Sequence, residues 1–226
     1  MARTVRFPMR LSPNHQRLTI AALLLLWSVA LIAYRIHLAD DGLAKGLLWN
    51  LFLATVPLLW SSAFKSAIEN RQFFLSAAFF VLWLLFFPNA PYLLTDLIHL
   101  GPRPYVPLWF LMVMLLSCAG TGTLLGYLSL SDIHSAIEQK FGRITGWMVV
   151  VLSLMLCGFG IYLGRFLRWN SWDAFSHPLR LGRSIMLRFV VPGTYPHPIF
   201  VTLIFGVGLL LGYLAVRVIA TPPSSK

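Results

Sequence analysis

The sequence predicts an all-α fold, a polytopic bundle of about six transmembrane helices, and three observations carry the prediction. The 226 residues are 58% hydrophobic and only 11% charged, a composition from which no water-soluble surface can be built. A hydrocarbon core takes roughly 20 apolar helical residues to cross, and six apolar runs of about that length follow one another along the chain. Leu, Phe, Trp and Gly fill these runs without sustained alternation of polar and apolar residues, which argues against the strands of an outer-membrane barrel.

The elements follow in order. Residues 1–17 form a basic N-terminal segment carrying Arg3, Arg6, Arg10 and Arg17. The first run, 18–34, follows those arginines as the core of a secretory signal would, but no clear small-residue cleavage site closes it, so it is expected to persist as a span. The second run is 43–64. The third, 72–92, ends at two prolines. The fourth, fifth and sixth are 106–128, 144–164 and 199–216. Together they make one six-helix domain over 18–217 with a long fifth loop at 165–198, followed by a short tail at 218–226. Asp40, Asp41, Glu69, Asp132 and Glu138 fall between runs and read as solvated turn charges.

Successive spans cross in opposite directions, so the first, third and fifth loops share one face and the termini the other. Ten Lys and Arg residues fall on the side of the termini and eight opposite. The four arginines before the first span decide the orientation, because the earliest helix usually sets it. The N terminus is therefore expected to be cytoplasmic, with the odd loops outward from the plasma membrane. The net charge of +11 does not indicate nucleic acid, since the basic residues are scattered over short loops. Membrane lipids with anionic headgroups are the expected partners. Cys118 and Cys157 lie inside the fourth and fifth runs, where a thiol acts as a small apolar group, and give no redox or zinc signal. No motif specifies a cofactor.

The last three runs share a glycine spacing: Gly120, Gly122 and Gly126; Gly158, Gly160 and Gly164; Gly206, Gly208 and Gly212. In lipid, small residues one turn apart let helix backbones approach. The expectation is close packing of these three helices through Gly122, Gly126, Gly160, Gly164, Gly208 and Gly212, or contact with partner helices or a second copy. A dinucleotide-binding role is excluded, because such glycines would have to join a strand to a helix.

Two polar segments are the candidates for chemistry. In FFPNAPYLLTDLIHL (86–100), Pro88 and Pro91 remove backbone donors and interrupt the helix. If the segment is helical, Asn89, Tyr92, Asp96 and His99 form one stripe on a leucine-rich surface. The plain reading makes these residues caps and wetted loop groups; the sharper one makes Asp96 and His99 a buried acid and imidazole pair. In GIYLGRFLRWNSWD (160–173), Arg165 and Arg168 stand one turn apart, followed by Asn170 and Asp173, with His177 beyond. Arginines and tryptophans at a helix end also suit an ordinary membrane interface.

Both segments belong to odd loops, so their residues can converge on one face. The acid and imidazole pairs suggest a divalent cation only weakly, because their spacings are common and Pro178 disfavours helix at His177. The alternative is an anionic headgroup held by Arg165 and Arg168 as fork donors with Asn170 beside them. Residues 178–190 gather Arg180, Arg183, Ser184 and Arg188 on one arc if helical, which predicts a short interfacial helix roofing the site.

At these two motifs the chain resembles an uncharacterised family of bacterial multi-spanning proteins, a domain of unknown function, over nearly its whole length. The resemblance implies that Pro88, Asn89, Pro91, Tyr92, Thr95, Asp96, Arg165, Arg168, Asn170, Ser171, Trp172 and Asp173 are shared polar positions, and it implies no activity. With no recognised nucleophile or metal motif, the sequence favours a noncatalytic transport or accessory role with a polar site formed by the third and fifth loops. The alternatives are a membrane-embedded enzyme acting on a lipid or lipid-linked phosphate at the outer interface, and a structural or assembly subunit.

Overall fold

The structure, a computed structural model, describes residues 13–39, 42–190 and 197–220. The basic segment before Pro13, Asp40, Asp41 and the tail after Ala220 lie outside them. Six helices or helix groups are long and apolar enough to cross a membrane: Gln16–Leu38, Gly42–Glu69, Phe73–His99, Leu108–Phe141, Arg143–Phe166 and Pro198–Ile219. The protein is an integral membrane protein with an all-α polytopic fold, as the apolar runs predict.

The helices are α1 (Pro13–Leu38), α2 (Gly42–Glu69), α3 (Phe73–Phe86), a one-turn α4 (Asn89–Tyr92) continuing as a 3₁₀ helix (Leu93–His99), α5 (Leu108–Phe141), α6 (Arg143–Phe166), α7 (Asp173–Ser176), α8 (Pro178–Val190) and α9 (Pro198–Ala220). The central α5 touches α1, α2, α4, the 3₁₀ helix and α6, while α9 lies along α6. One apolar core joins α1, α2 and α5 around Ile32, Leu47, Leu51, Leu111 and Met114. A second joins α3, α5, α6 and α9 around Trp83, Phe87, Ile133, Leu154 and Tyr213. Leu26, Leu59, Val81, Leu116, Leu152 and Leu211 face outward. Lipid tails solvate such side chains as well as a core would, so outward leucines carry no penalty.

Helix α5 runs to Phe141, 13 residues beyond the expected end of its span at Leu128. Its continuation buries Leu130, Ile133, Ala136 and Ile137 on one face, which keeps it helical after the uncharged run has ended. Asp132 and Glu138 are thus half-buried helix residues, not turn charges. Arg35, counted with the loop charges, is wholly buried at the end of α1.

The glycine expectation needs correcting. A Cβ on Gly158 would strike α9 at Thr202, and one on Gly212 would strike the Tyr127 hydroxyl, so α6, α9 and α5 do approach closely there. Gly122, Gly126, Gly160 and Gly164 instead receive the broken third span: Ala90 and Leu93, Ala90, Pro88 and Tyr92 respectively. Nothing lies within 4 Å of a Cβ on Gly120 or Gly208. The physical reason is that α4 inserts between α5 and α6, and only bare backbone on both leaves room for its proline rings.

Candidate functional site

The site is built on the break in the third span. Pro88 and Pro91 have no N–H, so the α-helical bond pattern cannot pass through them. The Ala90 N–H turns back to Phe87 O at 3.2 Å and the Tyr92 N–H to Pro88 O at 3.0 Å. The Phe86 carbonyl that the break releases is taken by the Asn89 side-chain amide at 2.9 Å. The same amide reaches Ser171 Oγ at 2.9 Å, tying the third loop to the fifth. Beyond Tyr92 the chain tightens into the 3₁₀ helix, which places Asp96 inward; the side chain is 5% exposed.

Arg165, at the end of α6, reaches across to this segment. Its Nη1 donates to Asp96 Oδ1 at 3.2 Å and, more weakly, to the Tyr92 hydroxyl at 3.5 Å; its Nη2 donates to the Thr95 carbonyl at 2.7 Å. The guanidinium carbon lies 5.8 Å from the Tyr92 ring centroid. One side chain therefore pairs with a buried carboxylate and also donates to a backbone carbonyl of the 3₁₀ helix. Asp96 Oδ2 accepts from Asn50 Nδ2 at 3.1 Å. Asn50 is absent from the sequence-derived set. The signal was available, since it is an amide within an apolar run, and such residues in membrane helices face partners rather than lipid.

Helix α6 ends where Arg168 turns into the left-handed region (φ +58°), sending the Trp169 N–H back to Leu163 O at 3.1 Å. Trp169 Nε1 then donates to Ser184 Oγ at 3.3 Å, fastening α8 over the site. Helix α8 occupies the residues expected for it, and Leu181 on it lines the cavity below. Arg168 is exposed at the rim and, among the described residues, has no carboxylate partner.

Between α3 and α6 lies a cavity of about 780 Å³. Its walls are apolar, with Val81, Leu84 and Leu85 facing Leu156, Phe159 and Leu163; its far end is polar, with Asn89, Tyr92, His99, Arg165, Arg168, Asn170 and Ser171. A smaller cavity of about 410 Å³ adjoins it, lined by Gly42, Gly46, Asn50, Tyr92, Asp96, His99, Arg103 and Arg165 among others. Residues of the first, third and fifth connections thus meet at one end of the bundle.

Not every candidate joins. Asp173 lines neither cavity; its Oδ2 accepts from the Asn170 backbone N–H at 2.7 Å, and His177, half-exposed, sits 3.8 Å from its Oδ1. Together they hold the α7 turn. Among the described residues no three His, Cys, Asp or Glu side chains are grouped to hold a metal ion, because the two acid and imidazole pairs are separate.

A second polar cluster, not anticipated from the sequence, occupies the opposite end. Arg217 donates to His134 Nδ1 at 2.8 Å; that nitrogen also lies 3.0 Å from the Tyr213 hydroxyl, and Nε2 is 3.6 Å from Glu138. Trp147 packs edge-on against the imidazole. The legible signal was His134 and Glu138 one turn apart on a helical face.

Among known proteins, no curated protein and no solved structure matches this chain. A family described as "Protein of unknown function (DUF1361)" matches residues 49–211, from within α2 to within α9, a narrower stretch than the near-complete resemblance expected from the motifs. That match includes both polar motifs and most of the bundle, and it places the chain in the DUF1361 family of proteins of unknown function.

Proposed function

We propose that this protein holds an amphiphilic molecule in the cavity between α3 and α6, as a noncatalytic transport or accessory protein of the plasma membrane whose site faces outward. The observation that supports this reading is the division of the cavity into apolar walls and one polar end. A chain-bearing molecule buries its tail against the leucines and places its head by the broken helix, much as ligand sites combine apolar surface with a few placed polar groups. Arg168 supplies a cation there that no carboxylate of the described residues offsets.

An enzymatic reading has less support, since a general acid or base must be available to exchange a proton and Asp96 is engaged by Asn50 and Arg165. The subunit reading has less as well, because most of the conspicuous glycines are already filled by this chain.

The test is mass spectrometry of lipids that co-purify with the protein in mild detergent. Leu156→Trp fills the cavity and is expected to lose lipid that the wild type retains, while Leu203→Trp on the outer face of α9 keeps it. Equal lipid in all three proteins would overturn the proposal.

A further inference from the structure

The larger cavity opens sideways. Val81 on α3 and Leu156 on α6 line it, yet they are 59% and 50% exposed, so they stand at a mouth rather than within a closed wall. Leu156 lies ten residues before the end of α6 at Phe166, about 15 Å along a helix and half of a hydrocarbon core of about 30 Å. The mouth is therefore at the depth of acyl chains. On the water side α8 lies across the polar end, with Leu181 in the lining and Ser184 held by Trp169 Nε1 at 3.3 Å.

The polar end is selective in charge. Among the described residues no carboxylate lines this cavity, whereas Arg165 and Arg168 both do. Arg165 is engaged by Asp96 at 3.2 Å. Asp173, the carboxylate nearest to Arg168 in sequence, lines neither cavity and accepts instead from the Asn170 backbone N–H and the Ser176 hydroxyl. Beside Arg168 the Asn170 side-chain amide lines the same end, and Ser171 Oγ, which accepts from Asn89 at 2.9 Å, keeps its own O–H to donate. A guanidinium, an amide and a hydroxyl on one wall suit an anion with several acceptor oxygens.

The length of the cavity narrows its occupant. Its lining includes no residue of α6 before Leu156 and none of α3 before Val81. A partner's transmembrane helix would continue past that level, because it has to cross the whole core. A slot that runs from the membrane edge to the middle of the bilayer, with donors at the edge and leucines further in, has instead the polarity of one lipid of one leaflet.

We infer that the larger cavity takes a bilayer lipid with an anionic head, reached through the gap between α3 and α6. Arg168, Asn170 and Ser171 hold the head, and a chain runs inward to Val81 and Leu156. The inference rests on the amphiphile reading and adds the class of the occupant and the side from which it arrives.

The experiment uses the full chain in phosphatidylcholine nanodiscs containing a phosphatidylglycerol that carries a photoreactive diazirine, either at the end of one chain or beside the head. Labelled peptides are mapped and normalised to the peptide of Leu203, which is outward-facing on α9 and reports bulk lipid. The chain-end probe is expected on the peptides of Val81 and Leu156, the head-proximal probe on those of Leu163 and Asn170. Phosphatidylcholine probes of the same build should label these peptides at least about tenfold less, consistent with one charge-assisted contact. Arg168→Gln should bring the two lipids level, while Arg143→Gln, at the other end of α6, keeps the preference. Unchanged thermal unfolding of each variant shows that a lost preference is not a lost fold. A nitroxide on Leu156→Cys should collide with oxygen more than with a water-soluble nickel chelate.

Equal labelling by the two lipids in the wild type, with the chain end still at Leu156, overturns the anionic head and leaves the amphiphile reading in place. A chain-end label at Asn170 overturns the placement of the head. Stronger collision with the nickel chelate shows a mouth open to water and overturns entry from the bilayer. Labelling by neither lipid above the level of Leu203, the outcome also expected if a helix of a second copy fills the slot, overturns both readings.

Discussion

The carboxylate of Asp96 and the guanidinium of Arg165 meet at 3.2 Å although 69 residues separate them, and α5 and most of α6 lie between them in the chain. The contact closes the third span onto the fifth at one end of the bundle. A buried pair of this kind gains little over an apolar substitute, but breaking it leaves one charge stranded, at a cost of about 3–5 kcal/mol.

Asp96→Asn and Arg165→Gln should each therefore lower stability substantially. The 17% exposure of the Arg165 side chain places the loss toward the lower end of that range, because water can partly solvate the survivor. The double variant should lose less than the sum of the singles, since neither charge is left alone. Thermal unfolding in detergent measures this, and strictly additive losses would sink the pair as a coupled unit.

Arg168 separates binding from folding. It holds a left-handed conformation that costs an L residue about 1–2 kcal/mol and glycine very little, while glycine loses roughly 0.5–1 kcal/mol through extra chain entropy. Arg168→Gly should leave stability within about 1 kcal/mol of wild type or slightly above it. It should also reduce co-purified anionic lipid. Unchanged lipid content would show that Arg168 only ends the helix.

Gly160 and Gly208 belong to similar sequence patterns and should behave oppositely. A Cβ on Gly160 would overlap the Pro88 ring, so Gly160→Ala should cost about 1–3 kcal/mol by overpacking. Gly208→Ala meets nothing and should gain up to about 1 kcal/mol from helix propensity. Melting curves of the two variants decide it, and equal behaviour would count against the insertion of α4 between α5 and α6.

Topology can be read with cysteine chemistry. Cys118 and Cys157 are fully buried and should resist a membrane-impermeant maleimide until the protein is denatured. Against that silent background, Tyr105→Cys and Ser176→Cys, in the third and fifth connections, should label from one side of the membrane and Asn70→Cys from the other. Labelling of Tyr105→Cys and Ser176→Cys from opposite sides would dissolve the shared site. With the expected orientation, those two label from outside.

Much of this architecture was legible because a bilayer makes local demands. Span length is set by hydrocarbon thickness, so six apolar runs specify six crossings, and parity alone assigns Asp96 and Arg165 to one face. Pro88 and Pro91 announce the break in the third span for an equally local reason, the missing N–H. The arc of arginines at 180–188 marks α8 from periodicity.

Tertiary structure decided the rest. Lipid is as apolar as leucine, so no hydrophobic force distinguishes one leucine-rich helix face from another, and helix partners are chosen by shape and by a few polar contacts. The sequence could not tell whether Gly122 and Gly160 face another long helix or the broken one, nor that Asn50 would reach Asp96. It set aside Asp132 and Glu138 as turn charges because uncharged runs end before amphipathic helices do. That Asp96 and Arg165 share a face was decided by the sequence; that they touch was decided by α4 fitting between bare stretches of α5 and α6.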